Sequence, residues 1–422
     1  MNIVDFIFSL ISNFIILYYF KKSNYSVLLL FPLFAFSGRW LASFTEIPNS
    51  VYFGYIEFVL SLIIFYKYRN ISRSKYLIFI FPFLSISSLL YINNNERYVI
   101  FFFYFFLLIS ANGYYALFSR NMGKLIKTAI IDKILIVWMI LGIYFRISVA
   151  NQFNMTFLEA RGGSSLWTTN HISMIILLFL PLVKNKYVLY SSIFFLCIQF
   201  SRGAYFTLLL MLLLYFILGY SRKVIKTSIV SLTLVVGFFF FAKILSPQFI
   251  DRGVLLLRER LTRELNFSYT SKPLNAITYS SIKRGIEIDE REEIRKAAWE
   301  ISKLTNYNGI GLGNFIDGLQ RINYPSKVSN AHNLYLTLLS EGGLLFILIF
   351  LFIMLKLLIL SYQYDWRVLI SLICFLFYGF FNGQIYEESA FRSCIDYFYL
   401  IFIWAYLMYR RRNFFLYQQR TY

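Results

Sequence analysis

Apolar runs long enough to enter a bilayer recur along almost the whole chain, and no other feature limits its fold as strongly. Thirteen can be marked, at about 3–20, 25–44, 51–66, 76–92, 98–118, 128–149, 171–183, 187–200, 203–220, 227–245, 334–360, 367–381 and 394–409. A helix needs about 20 apolar residues to cross the hydrocarbon core. The seventh, eighth and twelfth runs are short, so they are expected to tilt, merge or extend into neighbouring loops. Of the 422 residues 59% are hydrophobic and only 15% charged, against roughly 45–50% and about 25% in soluble domains. One water-soluble core could not hide this excess. A soluble enzyme, a disordered chain and a disulfide scaffold are excluded. The expected fold is an all-α polytopic membrane protein with roughly 12–13 transmembrane helices. The first run, opening MNIVDF, lacks a basic leader and reads as an anchor.

The net charge of +20 would suggest nucleic acid in a soluble chain. Here it follows the connections, and no nucleic-acid partner is expected. Taking alternate links, one set holds 18 Lys and Arg, including Lys21, Lys67, Arg120, Lys184, Arg222 and Arg410; the other set's short links hold four, Arg97, Arg161, Arg202 and Arg392. The positive-inside rule makes the first set cytoplasmic. The N-terminus is then outside, the C-terminus cytoplasmic, and the long connection 246–333 on the outer face. Three regions follow: transmembrane helices over 1–245, the outer loop over 246–333, and transmembrane helices over 334–422. The loop carries 23 of the chain's charged residues, and 287–304 (EIDEREEIRKAAWEISKL) reads as an amphipathic helix with Ile288, Ile294, Ala297, Ala298 and Ile301 on one face. A connection this long is usually functional.

Ionisable groups at membrane depth are costly and need a reason. Four outer-face groups stand out: Glu159 to Gly163 with Asn170 and His171; Ser201-Arg202-Gly203; Arg291 and Arg295 on the loop helix; and Ala331-His332-Asn333 at the mouth of the eleventh run. Each also has an ordinary reading. Arg202 could snorkel to headgroups, Arg161 could mark a plain turn, Arg291 and Arg295 could lie on a solvated helix face, and His332 could cap a helix. Glu341, nine residues on from His332, is expected to face a polar cavity rather than lipid. Arg39, Arg146, Lys133 and Lys243 are expected to snorkel or line a cavity. Cys197, Cys374 and Cys394 sit in apolar runs and read as packing residues.

Two histidines and no Cys/His cluster argue against zinc, and neither metal nor cofactor is expected. Gly309-Ile-Gly-Leu-Gly313 lacks the spacing and the strand–helix setting of a dinucleotide site. Arginines without metal are well suited to holding a phosphate or diphosphate, because they stay charged and neutralise it permanently. Fixed cations in a partly dry site would stabilise a leaving diphosphate, and a neutral histidine could take a proton from an attacking hydroxyl. This points to transfer from a lipid-anchored phosphate donor to a hydroxyl. A transporter for an anionic lipid would place arginines similarly.

Three segments carry a family resemblance: Arg161-Gly162-Gly163 with Asn170; Ser201-Arg202-Gly203-Ala204; and Arg291, Ala297-Ala298, Gly309 to Phe315, Ala331-His332-Asn333-Leu-Tyr-Leu and Glu341-Gly342-Gly343-Leu344 in that order. Over about 150–350 the chain resembles the bacterial O-antigen polymerase (Wzy) and O-antigen ligase (WaaL) superfamily. Arg295 stands where relatives often have an aromatic residue, and Tyr307-Asn308 where they have a proline. The resemblance implies a metal-independent glycosyltransferase of the bacterial inner membrane, its active site facing the periplasm. Donor and acceptor would be undecaprenyl-diphosphate-linked oligosaccharides, with the lipid bilayer itself and a chain-length regulator as further candidate partners. Arg161 and Arg202 would be catalytic with His332 as base; Arg291, Asn333, Asn170 and Glu341 would bind substrate. The His-Asn-x-Tyr-Leu and Ser-Arg-Gly-Ala patterns resemble polymerases more than ligases, which transfer polymer to lipid A–core.

Overall fold

The computed structural model describes residues 114–153, 169–199, 202–218, 290–311, 314–324, 331, 333–380 and 394–421, with isolated positions in 10–18, at 66 and in 229–240. Runs two and four fall outside them, as do most of runs one, three and five and part of the tenth. The described elements, in order, are α1 (114–127), α2 (Ile130–Phe153), α3 (Thr169–Phe179), a 3₁₀ turn (Leu180–Leu182), α4 (Lys186–Gln199), α5 (Arg202–Leu218), α6 (Glu290–Leu304), α7 (Phe315–Arg321), α8 (Leu334–Thr337), a π turn (Leu338–Gly342), α9 (Gly343–Tyr364), α10 (Trp366–Tyr378) and α11 (Cys394–Thr421). Among the described residues every regular element is helical.

Hydrogen bonds fix how the helices alternate. Asp132, early in α2, accepts the backbone N–H groups of Lys184 and Asn185, both at 3.0 Å, in the turn between α3 and α4. Lys184 Nζ reaches back to the Ile126 carbonyl at the end of α1, 2.6 Å away. At the other end of α2, Arg146 donates to the carbonyl of Ile198 near the end of α4. α5 returns from there, and its Tyr215 meets the Trp366 ring at 5.5 Å, where α9 gives way to α10. The bundle therefore has an Asp132/Asp365 end and an Arg202 end. α10 is the central post, packed against α3, α5 and α9, with Val368, Ile370, Leu372, Cys374 and Phe375 buried.

Asp365 caps α10 by accepting the Arg367 N–H at 3.1 Å. Its carboxylate also takes Arg367 Nε and Nη2, at 3.1 and 2.9 Å, and the Tyr406 hydroxyl of α11, at 2.5 Å. Burial alone would raise this carboxyl's pKa; the guanidinium, the hydroxyl and the N–H together overcome it and hold the group below the usual carboxylate range.

Two expectations shift. The basic stretch Arg120–Lys127 read as a link, yet α1 continues to 127 and turns only at Thr128 and Ala129. Lysine and arginine are good helix formers, so charge ended the apolar run without ending the helix. The last run likewise continues through Arg410–Arg412 to Thr421. The other described boundaries fall within a few residues of expectation. Cys197 and Cys374 are buried packing residues. Leu334–Tyr364, 31 residues, is long and apolar enough to cross a membrane, and 172–182, 186–199, 203–218 and 366–378 are shorter apolar helices. Several helices expose apolar rows: Ile136, Ile140, Ile143 and Ile147 on α2; Leu209, Leu213 and Phe216 on α5; Leu345, Leu348, Phe352, Leu355 and Ile359 on α9.

Candidate functional site

A small subdomain sits on the Arg202 end. Its sequence makes α6 amphipathic, and Ile294, Ala297, Ala298 and Ile301 bury against Ile310, Phe315, Leu319 and Ala331 in a core separate from that of the bundle. The described helix runs Glu290–Leu304, within the expected 287–304, whose first three residues lie outside the described ones. Its attachment is mostly backbone. Ile310 and Gly311 donate to the Ser340 and Glu341 carbonyls, both at 2.9 Å, and Leu344 donates to the Tyr307 carbonyl at 2.8 Å. Free acceptors in this register arise at the π turn, where the ordinary i→i−4 ladder is interrupted.

Gly309 and Gly343, both at φ +81°, make this crossing possible. A Cβ on Gly309 would stand 2.4 Å from the Glu341 carbonyl oxygen, and one on Gly343 2.5 Å from that of Asn308. The first glycine of the Gly309–Gly313 run thus serves close backbone approach.

Two side chains tie the subdomain and α8 to the end of α10. Arg295 Nη2 donates to the Phe380 carbonyl at 2.9 Å, and Asn333 Nδ2 donates to the same oxygen at 3.4 Å. Asn333 also caps α8, its Oδ1 accepting the Leu336 N–H at 3.1 Å, while the Leu334 N–H bonds the Gly379 carbonyl at 2.7 Å. Arg295 is therefore an anchor, not part of a solvated face. An arginine among the charges of 287–304 carries no sequence signal of this; only its distant partner shows it.

Of the expected site residues, Asn333 and Glu341 have described side chains. Asn333 is half-buried in the seam between α8 and α10. Glu341 is buried within the π turn, beneath the backbone of Gly311. Arg202 opens α5, Asn170 lies in the first turn of α3, and Arg291 lies in the first turn of α6, one turn before Arg295. By their positions in these elements Arg202 and Asn170 share the bundle end that α6 covers. Arg161 and His332 lie outside the described residues, although His332's chain neighbours are both held: the Ala331 N–H donates to Thr337 Oγ1 at 3.3 Å, and Asn333 is bonded as above.

The same end holds polar groups inside the bundle. Arg146, 1% exposed, does not snorkel: it is buried against the carbonyl end of α4. Tyr205 supports that end too, its hydroxyl donating to the Cys197 carbonyl at 2.5 Å. Gln199, the last residue of α4, is 2% exposed, and among the described residues no group bonds either atom of its amide. The hydroxyl of Ser173, in α3, is similarly buried without a hydrogen-bond partner among them. Sequence reasoning missed Gln199, because one glutamine at the end of an apolar run forms no pattern. Lys133, by contrast, is exposed, and Arg39 and Lys243 lie outside the described residues.

The fold so defined is a helical bundle with a loop subdomain zipped over one end. Residues 187–351 match the family model described as O-antigen ligase, consistent with the polymerase and ligase superfamily that the sequence resembles. The match spans α4, α5, the subdomain and the π turn, and so includes Arg202, Arg291, His332, Asn333 and Glu341; Arg161 and Asn170 precede it. Members of the family are membrane proteins, and the family implies glycosyl transfer on lipid-linked polysaccharide. No curated protein matches the chain.

Proposed function

We propose that the chain is an O-antigen polymerase, joining undecaprenyl-diphosphate-linked repeat units on the periplasmic face of the bacterial inner membrane. The observation that carries this reading is the seating of α6 and α8 on the carbonyl end of α10 through Arg295 and Asn333. It supports the reading because the loop helix that carries Arg291 and the turn that carries Asn333 attach at the end of α10, the bundle end at which Arg202 opens α5. The exposed apolar rows on α2, α5 and α9 support a lipid surround, since rows this continuous are rare on soluble monomers. The excess of Lys and Arg in the links at the Asp365 end supports placing that end in the cytoplasm.

In this mechanism Arg161, Arg202 and Arg291 neutralise the donor diphosphate. The acceptor hydroxyl attacks the anomeric carbon, the bond from that carbon to the diphosphate oxygen breaks, and His332 accepts the hydroxyl proton. Asn333, Asn170 and Glu341 orient the glycan. No step calls for a metal.

The test is the lipopolysaccharide banding of a strain lacking the chain, complemented with variants. Loss of polymerase leaves core bearing one repeat unit. Free core with polymer stranded on the carrier would establish the ligase reading instead, which the description of the matching family model favours. Units trapped inside the cell would indicate a transporter. Arg202→Ala should remove the ladder without lowering the amount of protein in the membrane. Arg202→Lys should restore little, because a point charge lacks the planar fork. A full ladder from Arg202→Ala would sink the proposed mechanism.

A further inference from the structure

Gln199 is a buried primary amide in an apolar bundle, and among the described residues nothing bonds its oxygen or its nitrogen. Buried polar groups are nearly always paired, because leaving one unmade is expensive. The helix end that carries this amide is held on two sides. Arg146 of α2 donates to the carbonyl of Ile198, the residue before it. Tyr205 of α5 donates to the carbonyl of Cys197, one residue further back. Three residues beyond Gln199, Arg202 opens the next helix. An amide that ends a held helix, with no partner among the described residues, thus stands three residues before the arginine assigned above to the diphosphate.

We infer that Gln199 binds the sugar attached directly to the diphosphate of the lipid-linked donor. The inference rests on the glycosyl-transfer reading. Its chemistry selects the sugar over the phosphate. A phosphate oxygen can only accept hydrogen bonds, so it would satisfy the amide N–H₂ and leave the carbonyl unmet. A sugar hydroxyl or acetamido group both donates and accepts, and so satisfies both halves. Arg202 supplies the fixed charge for the phosphates, and Gln199 reads the ring beside them.

The experiment uses the full chain purified into nanodiscs, with a lipid-linked repeat unit as donor, and compares wild type, Gln199→Met and Arg202→Ala. Gln199→Met keeps the length of the side chain and removes both polar atoms. The expected result is a donor KM raised about tenfold, the equivalent of one lost hydrogen-bonding contact, with kcat little changed and a melting temperature equal to or above that of wild type. An unchanged KM with Arg202→Ala inactive overturns the assignment of Gln199 and leaves the glycosyl-transfer reading standing. A Gln199→Met protein that melts lower than wild type, with apparent kcat reduced in proportion to lost folded protein and KM unchanged, makes the amide structural and also overturns it. Wild type that turns over no donor removes the reading itself, and this assignment with it.

Discussion

The two ends of the bundle share fastening hydrogen bonds but differ in what they leave unpaired. At the Asp365 end each buried acid is surrounded by donors from its own chain: Asp132 by the Lys184 and Asn185 N–H groups, and Asp365 by Arg367 and Tyr406. At the Arg202 end the Gln199 amide and the Ser173 hydroxyl are just as deeply buried but meet no partner among the described residues. The first pattern clamps helices together. The second sacrifices stability to keep hydrogen-bonding capacity open, and a protein gains from that only where something else completes the bonds. Both ends are fastened, but among the described residues only the Arg202 end also keeps these two deeply buried polar groups without a partner, which is the pattern the proposed binding role of Gln199 requires.

Substitutions can break or sharpen this contrast. The largest effect is expected from Gly309→Ala, which would force a side chain into left-handed backbone 2.4 Å from the Glu341 carbonyl oxygen. Left-handed strain and overpacking together cost about 4 kcal/mol. Because the clash lies where the subdomain meets the π turn, limited proteolysis should cut 290–324 while the bundle stays resistant, and polymer formation should cease. Equal protection in variant and wild type would show that the zipper does not hold the subdomain.

Asp365→Asn should come next, lowering stability by about 2 kcal/mol. Breaking a fully buried pair costs about 3–5 kcal/mol, and Arg367, 34% exposed, keeps part of its hydration. The sign of the pH dependence follows from the depressed carboxyl. Its stabilisation is complete above the unfolded-state pKa of about 3.9 and is lost as pH falls through the lower folded-state value. The wild-type melting temperature in detergent should therefore drop below about pH 4, and the drop should be smaller in Asp365→Asn. Parallel curves would show that the network contributes nothing there.

The smallest effect, and the one with the opposite sign, belongs to Ser173→Ala. Removing a buried hydroxyl that has no partner should leave stability unchanged or raise it by about 0.5 kcal/mol, read as a small upward shift in melting temperature. A clear fall would mean that Ser173 is fastened after all, and the contrast between the ends would weaken.

Much of the bundle was legible because lipid-facing and core-facing helices are both written in apolar length, and α2 to α5 and α9 fall close to the runs that announce them. The loop helix was legible from Ile294, Ala297, Ala298 and Ile301, whose spacing alone gives its buried face. What pattern could not supply were pairings between distant segments. Arg295 and Phe380 are 85 residues apart, and Arg146 and Ile198 are 52 apart. The π turn has no composition of its own. Gly309 was visible as one glycine of three, but its reason lies in Glu341 and Gly343, across an intervening helix and turn.

The backbone zipper also imposes an order on events. Ile310 and Gly311 find their acceptors on Ser340 and Glu341, which leave the ribosome about thirty residues later. The subdomain can collapse on its own small core as soon as it is made, but it cannot dock until the stretch opening the following long helix has been synthesised and has adopted its irregular turn. Capping one end of the bundle is thereby a late step in biogenesis, timed by the arrival of the very helix whose start it grips.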